Sequence, residues 1–225
     1  MARLSSTESS DATVTGGGAD RHDDVLAAIR DAIIKGEFAP NQRLVEADLS
    51  EQFGASRGGV RSALFELANE GLVERVQNRG ARVRAVTLAE AIEISEVRMA
   101  VEGLCAAKAA EHITDEQITE LRALGTEMRT AVAEGHVLRY SELNQTLHQR
   151  IREISGQSTA SGVLERLRAQ NVRHQFRLAL VPGRPNVSLP EHLAIIDEIC
   201  ARAPEAAERA ARRHLLSVID ALKSA

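Results

Sequence analysis

The stretch Phe53-Gly54-Ala55-Ser56-Arg57-Gly58-Gly59-Val60-Arg61-Ser62-Ala63-Leu64-Phe65-Glu66-Leu67 decides how the first third of this chain is read. Gly54 interrupts the segment before it, and Ser56 has the side chain of a helix N-cap. Val60, Ala63, Leu64 and Leu67 then recur at the spacing of a single helical face. Arg57 and Arg61 are four apart, so they project together from the start of the same helix, and no acid falls between Ser56 and Ser62. Arginines at that position suit nucleic acid, because a guanidinium can fork onto guanine O6/N7 or onto phosphate oxygens.

The flanking segments fit the same use. Upstream, Val25, Leu26, Ile29, Ile33 and Ile34 follow a helical repeat that stops at Gly36, and Pro40-Asn41 makes a turn. A short helix from Glu46 to Phe53 follows, with Ala47, Leu49 and Phe53 expected to face inward. Downstream, Gly71 ends the arginine-bearing helix. Leu72–Val76 and Ala81–Ala85 flank Gln77-Asn78-Arg79-Gly80 and predict a small hairpin. Arg75, Arg79, Arg82 and Arg84 fall on or beside that hairpin, again without an acid among them. Helix, helix, turn, helix, hairpin is an order in which one helix enters the major groove and the hairpin grips the backbone or the minor groove. Residues 1–20 are rich in Ser, Thr and Gly with almost no large apolar side chains, which predicts a disordered tail.

From Thr87 onward only helical patterns occur. Thr87-Leu-Ala-Glu90 and Thr114-Asp-Glu-Gln117 are capping-box sequences. Helices are expected near 88–111, 115–134, 138–155, 159–180, 190–202 and 204–223, with Pro204 in the first turn of the last. Residues 181–190 carry three of the five prolines and predict the one long irregular connection. The fold class is therefore mainly α: an N-terminal winged helix-turn-helix over 22–86 and a C-terminal antiparallel all-helical bundle over 87–223.

Residues 22–86 resemble the GntR-type winged helix-turn-helix. The likeness rests on Gly36-Glu-Phe-Ala-Pro40-Asn-Gln-Arg43-Leu44-Val-Glu46, Phe53-Gly54-Ala-Ser56-Arg57-Gly-Gly-Val60-Arg61, Glu70-Gly71-Leu72-Val73 and Arg79-Gly80. It implies DNA contacts by Arg43, Ser56, Arg57 and Arg61, with the wing around Arg79 and Gly80 assisting. It also implies a homodimer on double-stranded DNA, at a short pseudo-palindromic operator, and most often a repressor. Two departures bear on sequence preference: Gly58-Gly59 replaces the usual Thr-Pro, and Ser62 the usual Glu.

In the helical half, Asn144 and His148 share a face with Leu147 and Ile151. His192 lies with Ile195, Ile196 and Ile199, and His214 with Ala207, Ala211 and Val218. Three histidines on three inward faces each need a partner. They share one if they hold a metal, or each has its own hydrogen bond; spacing alone leaves both open. Residues 87–223 resemble the FadR C-terminal (FCD) effector domain in its metal-binding form, whose pattern is Asp-x-x-Phe-His, then His, then His. Here it reads Asn144-Gln-Thr-Leu147-His148, Glu191-His192 and Arg213-His214. The resemblance implies a divalent transition metal, zinc or nickel foremost, held by Asn144, His148, His192 and His214. Asn144 stands where the family has a carboxylate, which weakens one ligand.

Arg98 and Glu102 have the spacing of an exposed ion pair, or Arg98 turns inward to fork onto a ligand carboxylate. In the resembling domains this helix borders the effector cavity, so Arg98, Glu102 and Asn171 are candidate effector contacts; Arg173, His174 and Gln175 are further ones. The function these features imply is a DNA-binding regulator controlled by a small carboxylate. A helical-bundle metalloenzyme is the alternative. It is set aside because the paired Glu-x-x-His motifs of di-iron bundles are missing, so the chain reads as a non-enzyme.

Composition narrows the field further. The chain has 225 residues, 44% of them hydrophobic, and a net charge of −4, so any affinity for polyanions is local rather than global. Five aromatics (Phe38, Phe53, Phe65, Phe176 and Tyr140) are too few for a stacking platform on single strands. Cys105 and Cys200 cannot form a disulfide framework, and no apolar run is long enough for a membrane span. A reduced, cytoplasmic protein without a membrane partner is expected.

Overall fold

The computed structural model describes residues 19–76, 80–179 and 181–224. The chain divides into two compact units between Arg84 and Ala85. The tail expected over 1–20 lies outside the described residues up to position 18, and its last two residues, Ala19 and Asp20, open the first helix.

The N-terminal unit contains α1 (Ala19–Lys35), β1 (Arg43–Leu44), α2 (Glu46–Gln52), α3 (Arg57–Asn69), β2 (Val73–Val76) and β3 (Gly80–Val83). Ile29, Ile33, Leu49, Val60 and Leu67 are buried where α1 and α2 pack on α3. Arg30 of α1 clamps Glu70 beyond the end of α3, at 2.9 and 2.6 Å. Ala47, expected inside, is exposed. α2 has only seven residues and packs through Leu49, and a residue two positions away lies about 200° around the helix.

The expected hairpin is present, and β3 pairs on its other edge with β1, giving the antiparallel order β1-β3-β2. β1 is too short for any alternation to announce it; the burial of Leu44, opposite Ala81, fixes it in place. Gly80 begins β3 at φ +85, and a Cβ there would stand 3.2 Å from the Leu44 carbonyl oxygen, so this wing position demands glycine.

The C-terminal unit is six helices: α4 (Leu88–His112), α5 (Asp115–Ala133), α6 (Val137–Ser155), α7 (Ser158–Ala179), α8 (Arg184–Cys200) and α9 (Pro204–Ser224). Thr87 caps α4 through the Glu90 N–H, and Thr114 with Gln117 forms a complete capping box on α5. α4 packs against α6, α7, α8 and α9. Its small residues allow that close approach: a Cβ on Gly103 would meet Glu208 Cγ at 3.1 Å and Arg212 Cγ at 3.2 Å. No helix among the described residues is long and apolar enough to cross a membrane.

The connection expected over 181–190 is largely helical, because α8 begins at Arg184. Pro185 in the first turn removes an N–H that has no intrahelical partner there. Pro190 forfeits one backbone bond inside the helix, a loss offset by burial of Ser188, His192, Ile195, Ile196 and Ile199 along one face. Proline content pointed to a loop; the buried stripe outweighs it. The consequence is functional, since this added stretch of helix carries Arg184 and Ser188.

Candidate functional site

Ser56 caps α3 by accepting the Gly59 N–H at 3.1 Å, and the first turn of that helix holds no acid. Arg43, Arg57 and Arg61 are exposed. Arg61 is held by Glu46 of α2, Nε at 3.1 Å and Nη2 at 2.7 Å, so its guanidinium is positioned rather than free to sweep. Arg61, Gly58, Ser62, Arg75 and Gly80 line an open groove between α3 and the hairpin. Arg75 reaches that groove over the Phe65 ring, 5.8 Å from its centroid, while Arg82 is engaged across the strands by Glu74 at 2.8 Å. Arg79 lies outside the described residues.

The second constellation is in the helical unit. His148 of α6, His192 of α8 and His214 of α9 are all buried, and one ring nitrogen from each lies within 4.8 Å of the other two. Their outer nitrogens are committed elsewhere. His148 Nδ1 meets Glu102 Oε2 at 2.9 Å, His214 Nδ1 meets Glu191 Oε2 at 2.9 Å, and His192 Nδ1 meets the Tyr140 hydroxyl at 2.9 Å.

Those partners set the tautomers. A carboxylate only accepts, so His148 and His214 carry their proton on Nδ1. For His192 the proton count runs outward along a relay. Ser188 Oγ donates to the Arg184 carbonyl at 3.1 Å, so it must accept from Tyr140 at 2.8 Å. Tyr140 has then spent its only proton and accepts from His192 Nδ1–H. Burial lifts the Tyr140 hydroxyl to about 12, so that proton stays in place. Burial disfavours a second proton on His148 and His192, which leaves those two rings an Nε2 lone pair. That of His192 is buried and has no hydrogen-bond partner among the described residues, as an atom facing a cation would have.

The local electrostatics favour neutral imidazoles at His148 and His192. Burial drives His148 down to about 4, against the pull of Glu102. Burial likewise holds His192 well below its ordinary value, with His214 and His148 adding to the effect. Burial opposes charge on Glu102, but Arg98 and His148 outweigh it and keep that carboxyl well below the usual range. A folded-state value below the ordinary 6.5 means that, as pH falls, the unfolded chain takes up the His148 proton first. The metal-free protein is therefore expected to lose stability from about pH 6.5 down to about 4. Urea melts across that range check it; His148→Gln should flatten the slope.

Beside the triad is a cavity, partly open to solvent, lined by the three histidines, Tyr140, Asn144, Arg98, Arg168, Gln175 and Arg184 among others. Asn144 Oδ1 is buried there without a hydrogen bond among the described residues, as an amide oxygen available for a cation would be. Arg98 is both an i,i+4 partner of Glu102 and turned inward, only 4% exposed. Glu102 and Asn171, candidates for direct effector contact, do not line this cavity. Glu102 is consumed by Arg98 and His148. Asn171 is fully buried against α4, its Nδ2 reaching Ser95 Oγ at 3.3 Å and the Ala91 carbonyl at 3.4 Å.

Two family models match this chain: bacterial regulatory proteins, gntR family, over residues 21–83, and the FCD domain over residues 93–217. The chain belongs to the GntR family, with an FCD domain. Among its relatives, the HTH-type transcriptional repressor RspR of Escherichia coli K12 is 28% identical over 199 residues, 88% of this chain and 87% of that one. The HTH-type transcriptional regulator YdhC of Bacillus subtilis is 26% identical over 83% of this chain and 84% of its own. The solved structure of E. coli McbR/YncC superposes with a TM-score of 0.76 at 20% identity, covering 91% of this chain and 97% of that one, which shows the shared fold.

This GntR-family regulator holds more site residues than the histidine pattern alone suggests. Tyr140 precedes Asn144 and His148 by four and eight, and Arg184 precedes Ser188 and His192 by four and eight. Both triplets share a helical face, a signal carried by their spacing in the sequence. Glu191 gives no such signal, because it faces His214 across two helices while its neighbour His192 faces the cavity.

Proposed function

We propose that this chain is a DNA-binding transcriptional repressor whose operator affinity is set by a small organic acid bound at a divalent metal in the helical unit. The observation that carries the metal is the convergence of one ring nitrogen from each of three buried histidines, whose Nδ1 atoms are engaged by Glu102, Tyr140 and Glu191. His148, His192 and His214 would hold zinc or nickel, with the Asn144 oxygen as a further, neutral ligand. A bound divalent ion would supply a Lewis-acid anchor for a carboxylate. Repression is the role named for RspR, and it supports the same role here.

On the DNA side, Arg57 and Arg61 at the start of α3 would enter the major groove. Arg43 and the wing at Arg79 and Gly80 would contact the backbone, in a homodimer on a pseudo-palindromic site. Arg57→Ala should weaken operator binding about ten- to hundredfold by fluorescence anisotropy at fixed salt, with an unchanged circular dichroism spectrum. Unchanged affinity at matched salt would remove α3 from the recognition role.

Coupling has a candidate carrier in α7. Arg168 and Gln175 of that helix line the cavity, and His174 beside them meets the Val86 carbonyl at 2.9 Å, two residues past the end of the N-terminal unit. A ligand that moves α7 would act on the linker through this bond, provided it binds the two arrangements with different affinity. His174→Ala should leave acid binding in calorimetry unchanged and cut the acid-dependent change in operator affinity several-fold. Equal loss of both would place His174 in ligand binding instead.

A further inference from the structure

We infer that the acid this cavity selects is a dicarboxylate, and that a monocarboxylate of the same length binds it poorly. The inference deepens the effector reading above and rests on it. It comes from polar atoms that the protein buries at the cavity and leaves unpaired. Among the described residues, Arg98 Nη1, Gln175 Nε2 and Arg184 Nη2 are N–H donors with no hydrogen-bond partner, on α4, α7 and α8.

The two guanidinium groups flank different members of the histidine triad. Arg98 adjoins His148 through their shared partner Glu102. Arg184 adjoins His214 through Glu191, whose Oε2 is 3.6 Å from Arg184 Nη2, too far for a hydrogen bond. A single carboxylate drawn to one of them leaves the other buried N–H unsatisfied. A second carboxylate at the far end of the same molecule can satisfy it, with Gln175 adding a neutral donor.

The charge count agrees. Three arginines line the cavity: Arg98, Arg168 and Arg184. The nearby carboxylates, Glu102 and Glu191, are already bound to a histidine and approached by an arginine. Asn144 is neutral where a third acid would offset the excess. Burial lowers Arg168 to about 10 against the pull of Glu102, with Arg98 and Arg152 adding to the effect, so an added anion would relieve this cation. A metal ion at the histidines would raise the surplus further, and a dianion restores more of the balance than a monoanion.

The test is isothermal calorimetry on the full-length protein saturated with zinc, its metal content measured before and after. The probes are the linear diacids from malonate to adipate, each compared with its own monomethyl ester. At least one diacid should bind about ten- to hundredfold tighter than its half-ester. Arg184→Gln, with an unchanged circular dichroism spectrum, should pull that ratio toward one by weakening the diacid and sparing the half-ester. Asn144→Asp should lower the ratio several-fold from the same side.

Equal affinity for diacids and half-esters would overturn the inference and leave the effector reading intact. Binding of neither class would overturn both. A ratio that survives both Arg184→Gln and Arg98→Met would overturn the assignment of the second carboxylate to these guanidinium groups.

Discussion

Zinc added to the metal-free protein is expected to raise its melting temperature by on the order of 10 °C, and His192→Ala to abolish that rise. At a free concentration a thousandfold above its dissociation constant, a ligand that binds only the native state adds about 4 kcal/mol, and in a chain of this size each kcal/mol moves the midpoint by roughly 2–4 °C. His192 is the decisive position because its Nε2 is buried and has no partner among the described residues. The subtler variant is Tyr140→Phe. It keeps the ring and removes the acceptor that holds the His192 proton on Nδ1. The imidazole is then free to place that proton on Nε2, where it blocks coordination. Zinc affinity should fall about ten- to hundredfold, the scale on which outer partners of metal ligands act. A full zinc shift in His192→Ala would show that the triad is not the binding site.

The residues explain why some of this was legible in advance and some was not. α3 could be read at once, because Gly54, Ser56 and the Val60–Leu67 face state a break, a cap and a buried stripe within fifteen residues. The three histidines could be placed on inward faces by period alone, yet period cannot say that three faces meet. That takes the packing of α6, α8 and α9. α8 misled the reading at its N-terminus, since local chemistry at Pro182, Pro185 and Pro190 argues for a loop while the buried stripe from Ser188 to Ile199 argues for a helix. Burial wins there by a margin no proline count reveals. Asn171 shows a related limit: polarity on an inward face marks a need for partners, and α4 meets that need for Nδ2 through Ser95 and the Ala91 carbonyl, while Oδ1 has none among the described residues.

Arg98→Ala is the substitution expected to cost most in stability. Arg98 sends two N–H groups to Glu102 Oε1, at 3.0 and 2.7 Å, while Oε2 takes the His148 proton. Both side chains are more than nine-tenths buried, so removing the cation leaves a carboxylate that water cannot reach. Breaking such a pair from one side costs about 3–5 kcal/mol, far above an exposed i,i+4 pair. Glu102→Gln alone strands the arginine instead and should also destabilise. The double variant Arg98→Met with Glu102→Gln removes both charges, and the Gln oxygen can still accept from His148 Nδ1–H. It should therefore recover most of the loss, so the two single effects will not add in urea melts. Strict additivity would mean that the pair is solvated, and would remove the premise that Arg98 sits in a low-dielectric site able to discriminate among anions.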